Sequence, residues 1–196
     1  SFRVEEYNKS YIAYTLNDDG QSYTVSSIGS CTDLDIIVPA FYEGLPVTAI
    51  GSGAFEYCWS ITSVFIPEGV TYIGSRAFCE CESLTDASLP STLTYVADNA
   101  FSDCYSLKYR KYNGGEYLGN DKTPNLVMRK LTDITVTTFT IPDETILLMS
   151  GAFSNCTKLE KVIIHNSISS IGDHTFYNCS NLKDITFRTL EVLKSV

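Results

Sequence analysis

Residues 58–104 read C-WSITSVFIPEGVTYIGSRAFCE-C-ESLTDASLPSTLTYVADNAFSD-C, from Cys58 through Cys81 to Cys104. Two consecutive segments of 23 residues thus run from cysteine to cysteine. In each, a proline closes a short apolar run (Pro67, Pro90), and an Ala-Phe pair precedes the closing cysteine (Ala77-Phe78, Ala100-Phe101). The same marks return at Ala54-Phe55/Cys58, at Ala152-Phe153/Cys156 and, with Thr for Ala, at Thr175-Phe176/Cys179. Self-similarity at such a period is the signature of stacked supersecondary units, which bury their apolar faces only against one another.

One unit can be read in detail. Val64 and Ile66, like Ala87 and Leu89, alternate with outward positions ahead of the proline, which is strand spacing. Proline has no N–H for a ladder and ends the strand. Val70 and Ile73, then Leu93 and Val96, form a second short apolar piece. Ser52, Ser75, Asp98, Ser150 and Asp173 each stand three residues before the phenylalanine, as helix N-caps do. Ala77, Phe78 and Cys81 would then share one face of a helical turn. The expected fold is an α/β solenoid, a right-handed coil of 23-residue units. It has a parallel β-sheet on one face and short helical turns on the other. The glycine before the cap (Gly51, Gly74, Gly172) is Ala97 and Met149 elsewhere, so no strict positive-φ requirement is expected there.

Working outward, residues 1–30 lack the repeat. Tyr11–Leu16 and Tyr23–Ile28 are β-forming runs joined by Asn17-Asp18-Asp19-Gly20, a hairpin signal. We read this segment as an N-terminal β-hairpin cap over the first coil. The repeat array occupies residues 31–196 as one domain. Its first unit is irregular, with extra residues in a loop at Phe41–Leu45. Between Cys104 and Cys156 the chain carries a long insertion at about residues 109–131, with turn clusters at Asn113-Gly114-Gly115 and Gly119-Asn120-Asp121. It is expected to be a β-hairpin excursion from one coil.

The formal charge of −9 argues against nucleic acid and anionic lipid as partners. No apolar run approaches a membrane span, so no direct insertion is expected. Of seven cysteines, five share one repeat position and Cys31 resembles a sixth. A column of this kind is expected to be a buried ladder of reduced thiols. Cys79 falls outside the column and is expected to be partly exposed. The chain opens on Ser1 rather than Met, as a trimmed chain would, with any address upstream.

The unit C-x-x-L-x-x-V-x-I-P-x-x-V-x-x-I-G-x-x-A-F-x-x-C resembles the treponemal-type, or BspA-like, bacterial leucine-rich repeat over about residues 31–187. The opening YTVSSIGSCTDLDIIVPAFYEGLPVTAIG and the insertion YLGNDKTPNLVMRKL are similar to forms in clostridial members. The resemblance implies a curved solenoid on secreted or surface-attached bacterial proteins, with adhesion to host matrix proteins or other cells as the associated role. His165 for Pro and Thr175 for Ala depart from the pattern.

Signs of catalysis are missing from the sequence. His165 and His174 read as surface histidines, and no hydrolase, metalloprotease or nucleotide-binding motif occurs. Cys79-x-Cys81 lacks the second pair of a zinc site, and Asp33-x-Asp35 lacks EF-hand spacing. No catalytic residue, metal or cofactor is expected. The outward strand positions form two columns: Ile37, Phe65, Ser88, Thr140, Ile163 and Thr186, then Asp35, Ser63, Asp86, Thr138, Lys161 and Asp184. The candidate ligand contacts are Phe65, Ile37, Ile163 and Lys161 on the sheet, with Tyr109, Tyr112 and Tyr117 on the excursion, none of them at a repeated inward position; packing of the excursion's tyrosines against their own coil is the other reading. Two functions compete: an extracellular module that recognises protein or glycan on host or neighbouring cells, and a spacer within a larger surface protein that binds nothing itself.

Overall fold

The columns spaced by 23 residues become strands. The computed structural model describes residues 12–30, 32–97 and 99–189, and Cys31 and Asp98 lie outside them. β1 (Ala13–Leu16) and β2 (Tyr23–Ser27) form the antiparallel hairpin. The Asp19 carboxylate fixes its turn by accepting from the N–H groups of Gln21 and Ser22 at 2.8 and 3.1 Å. β3 (Asp35–Ile37) is the first proline-terminated strand. β4 (Phe41–Tyr42) and β5 (Leu45–Ile50) are a tight hairpin where the sequence suggested a loop. Its two turn residues, Glu43 and Gly44, have φ of 48° and 81°, the left-handed pair a two-residue hairpin needs.

Each regular coil then supplies two strands. They are β6 (Ser63–Phe65) with β7 (Tyr72–Ile73), and β8 (Asp86–Ser88) with β9 (Tyr95–Val96). The excursion contributes β10 (Arg110–Tyr112), β11 (Gly115–Leu118) and β12 (Val127–Leu131). The alternation resumes with β13 (Thr138–Thr140), β14 (Leu147–Leu148), β15 (Lys161–His165), β16 (Ser170–Ile171) and β17 (Asp184–Arg188). Strands before the proline column pair in parallel, β3-β6-β8 and β13-β15-β17. Ile36, Val64 and Ala87 stand in register facing inward, and Ile37, Phe65 and Ser88 outward. The second apolar piece of each coil makes another set of parallel strands, β2-β5-β7-β9 and β12-β14-β16. The terminal hairpin joins this second set.

The third side of the coil corrects the expectation of helical turns. No helix occurs among the described residues. Local bonds there reach back only three residues, as from Ala54 N–H to Gly51 O and Cys58 N–H to Phe55 O. Other N–H groups point to the next coil. Gly53, Phe55 and Tyr57 donate to the carbonyls of Ser75, Ala77 and Cys79 at 2.9, 2.7 and 3.0 Å, and Gly151, Phe153 and Asn155 repeat this toward Asp173, Thr175 and Tyr177. Residues two before and two after the phenylalanine have left-handed φ, including Gly53, Arg76, Gly151 and His174, then Tyr57, Glu80, Asp103, Asn155 and Asn178. A helix accommodates neither feature. Ser75, expected as an N-cap, instead accepts from the Asn99 side chain of the next coil at 3.1 Å.

Inside, the phenylalanines stack. Phe55, Phe78 and Phe101 lie 5.1 Å apart centroid to centroid and nearly parallel. Burying each ring contributes about 1.5–3 kcal/mol. The cysteine column beside them makes a second ladder. The thiols of Cys81, Cys104 and Cys179 donate to the carbonyls of Phe55, Phe78 and Phe153 at 3.1, 3.0 and 3.0 Å. Cys79, Cys81, Cys104, Cys156 and Cys179 are free thiols. Cys79, expected to be partly exposed, is fully buried, and burial raises its pKa. Gly74 has no left-handed φ; an added Cβ would meet the Ser52 backbone nitrogen at 2.7 Å, so close approach of coils is what selects glycine.

The excursion is more than a projecting hairpin. β10 and β11 pair across Asn113-Gly114, and β11 pairs antiparallel with β12. β12 then runs parallel to β14 and so becomes a strand of the second set. Gly119 bridges Ser88 in parallel, and its carbonyl accepts from Leu89 N–H at 3.3 Å. The detour is therefore stitched to both sheets. It also divides the apolar interior into two clusters, one led by Phe55, Phe78 and Phe101, the other by Phe139 and Phe153.

Candidate recognition groove

The outward columns are where side chains remain free to act. Phe65 is 49% exposed on β6, in register with Ile37 on one side and Ser88 on the other. Ile163 and Lys161 stand in the second group of strands, beyond the excursion. Lys161 forms an ion pair with Asp184 at 2.7 Å, and that bond holds the Asp184 carboxyl below the usual carboxylate range. The sheet candidates thus fall into two separate patches.

A cavity of about 670 Å³ opens where the sheet meets the excursion. Phe65, Asp86 and Ser88 form its sheet wall; Tyr109, Arg110 and Tyr117 come from the excursion, Lys108 from the residue just before it, and the 119–122 turn overhangs it. Asn120 fixes that turn. Its amide donates to Leu89 O at 2.6 Å, and its carbonyl oxygen accepts from the N–H groups of Lys122 and Thr123 at 2.7 and 2.9 Å. Below, Glu68 is locked to the next coil. Its carboxylate accepts from Ser91 N–H, Ser91 Oγ and Thr92 N–H. Burial opposes ionisation of Glu68, yet these bonds and nearby Lys122 leave its pKa below the ordinary value.

The three excursion tyrosines, candidates either for ligand contact or for packing on their own coil, occupy three environments. Tyr117 is 0% exposed and belongs to the core, forming a wall of the cavity from beneath. Its position on β11 faces the Phe139–Phe153 cluster, and its buried hydroxyl has no hydrogen-bond partner among the described residues. Tyr109 is half-buried, with the Arg129 guanidinium 4.7 Å over its ring. Burial pushes its phenol up to about 12 against the pull of Arg129. Tyr112 alone is exposed, edge-on to Tyr117 at 6.5 Å and outside the cavity. The structure therefore gathers Phe65, Tyr109 and Tyr117 around one groove and leaves Ile37, Tyr112, Ile163 and Lys161 apart from it. Sequence reasoning passed over Lys108, Arg110 and Lys122, which line the same groove. The run of cations at residues 108–111 was the available signal.

The histidines behave differently from each other. His165, expected at the surface, is buried in the proline column. Its Nε2–H donates to Pro142 O at 2.6 Å while Nδ1 accepts from Ser167 N–H at 3.3 Å, so the ring replaces proline with two bonds of its own. His174 is exposed beside Tyr177. Among the described residues, metal-ligating groups converge only at Cys79, Glu80 and Asp103, a buried thiol next to two more accessible carboxylates.

The sequence model of the family described as BspA type Leucine rich repeat region matches in 6 copies, over residues 40–119 and 130–195. Its gap falls within the excursion. The chain is similar to the leucine-rich repeat protein TpLRR of T. pallidum, with 24% identity and a TM-score of 0.55, covering 89% of this chain and 68% of that one. It is also similar to a leucine rich cell surface protein of Faecalibacterium prausnitzii A2-165, with 25% identity and a TM-score of 0.49, covering 92% of this chain and 38% of that one. No curated protein matches. The repeat columns, the stacked parallel strands and a family match over most of the residues agree: this chain belongs to the BspA-type leucine-rich repeat family.

Proposed function

We propose that the protein is a non-catalytic recognition module of a bacterial surface or secreted protein, and that it holds a protein or glycan of a host or neighbouring cell in the groove between sheet and excursion. The observation that carries this is Phe65. A large apolar ring, half exposed on a regular sheet face, adjoins a cavity whose opposite wall is an insertion braced on both sheets. Family membership adds to it, since repeat solenoids present extended faces as binding surfaces. Binding energy on such a face comes from a few anchors.

The test begins with capture of a ligand by the intact array from host matrix and cell-surface proteins and glycans. Phe65→Ala then weakens that ligand by at least ~1 kcal/mol, with the melting temperature nearly constant. Undiminished affinity in Phe65→Ala places recognition elsewhere. Failure of the array to capture anything favours the spacer.

A further inference from the structure

We infer that the groove takes an acidic peptide segment, extended along the sheet, with carboxylates toward the excursion and an apolar side chain toward Phe65. The inference rests on the reading of the groove as the recognition site and adds the ligand's chemistry. Its first support is the distribution of charge. Residues 108–130 carry six Lys/Arg against two Asp/Glu, a net +4. The remaining residues carry eight against 21, a net −13 in a chain of −9. An acidic solenoid has gathered its positive charge in one insertion.

The second support is pairing. Arg76, Arg129, Lys161, Lys183 and Arg188 are engaged with carboxylates. Lys108, Arg110 and Lys122, all lining the groove, form no ion pair among the described residues, as is also true of Lys111, Lys130 and Lys158 outside it, so the groove's cations remain available to a ligand. The walls also differ in sign. Glu68 and Asp86 belong to the sheet side, while the three cations, with Asp121 as the one acid among them, belong to the opposite wall, which is therefore net positive. Glu68 is already saturated by Ser91 and Thr92. A ligand with charge on one edge and an apolar group on the other matches this polarity; an extended peptide, whose side chains alternate, supplies it. A sugar ring stacked on an aromatic face is the poorer match, since Arg129 already covers Tyr109.

The experiment uses the full chain and fluorescence anisotropy with three probes. They are a labelled peptide of repeated Glu-Phe, its uncharged Gln-Phe twin, and a sulfated oligosaccharide. The acidic peptide is expected to bind at least ~10-fold more tightly than its twin, and the advantage shrinks as salt rises from about 0.05 to 0.5 M. The triple variant Lys108→Gln/Arg110→Gln/Lys122→Gln should erase the advantage without moving the melting temperature. Phe65→Ala should weaken both peptides alike. Equal binding of the twins with loss in Phe65→Ala overturns the acidic ligand but leaves the groove as the site. A preference that survives the triple variant, charge-dependent binding of the oligosaccharide alone, or no binding by any probe overturns it too. Loss of the captured ligand in Phe65→Ala is read separately and decides the groove itself.

Discussion

Two strands of nearly synonymous sequence meet opposite fates. In β6 and the residue after it, Val64 and Ile66 are buried. In β17, the same columns hold Ile185 and Phe187, which are 38% and 73% exposed. The second strand of the coil repeats the contrast, with Ile73 buried and Ile171 exposed. Column identity is equal; among the described residues, β6 has a parallel strand on both sides (β3 and β8) and β17 on one (β15). Hydrophobic stabilisation in this molecule is therefore a property of interfaces between coils, and an inward residue gains little until two neighbours enclose it.

Breaking the comparison at its strong end should give the largest effect. Phe78 is clamped between Phe55 and Phe101, so Phe78→Ala should cost about 3–5 kcal/mol in urea denaturation. Phe187→Ala should cost less than about 1 kcal/mol despite its column. Equal losses would mean that burial follows the column and not the stack. An intermediate effect of opposite sign is expected at Tyr117. Its ring fills the core while its buried hydroxyl lacks a hydrogen-bond partner among the described residues, so Tyr117→Phe should raise stability by about 1 kcal/mol. A loss there would show a bond to the hydroxyl.

The smallest effect sharpens the contrast through the thiols. Burial pushes Cys156 up to about 11, above the ordinary thiol value shared by the unfolded chain. The unfolded state ionises first, so this contribution is complete below about pH 8.5 and is lost as pH rises through 11. Cys156→Ala should flatten the decline of melting temperature between pH 9 and 11 more than Cys179→Ala, because Cys179 is only half-buried. Thiol reagents on the native protein should likewise reach Cys58 and Cys179 before Cys79. Rapid modification of Cys79 would contradict its burial.

The strands and their facing were legible because a buried column repeats its apolar character every 23 residues on either side of the excursion, as Val64 and Ala87, then Phe139 and Val162, do. The third side was misread because Ser75 and the Ala77-Phe78-Cys81 spacing mimic a capped helical turn. The contrary signal was the Asp/Asn-rich column of Asp103, Asn155 and Asn178, residue types that tolerate left-handed φ. Tyr117 was misplaced for another reason: the excursion has no period, and its burial depends on β12 pairing with β14, which no local pattern announces. Phe65 was legible as outward. The groove beside it was not, since it exists only where the Gly119 bridge lays the insertion against β8.

The three hydrogen-bonded sides of the coil give the chain something like a reading frame. Residues 23 apart are spatial neighbours, as Glu68 and Ser91 show. A single-residue insertion inside a coil would throw the strand, thiol and phenylalanine columns out of step with the coil above. Whole coils can be gained or lost without that penalty, because each new one presents the same edge it covers. A detour is tolerated under one further condition, that it hand the chain back in phase, and β12 does so by entering the second set of strands beside β14. Variation in length among arrays of this design should thus come in whole coils or in closed detours, and the detours are where new binding surface can arise without rewriting the stack.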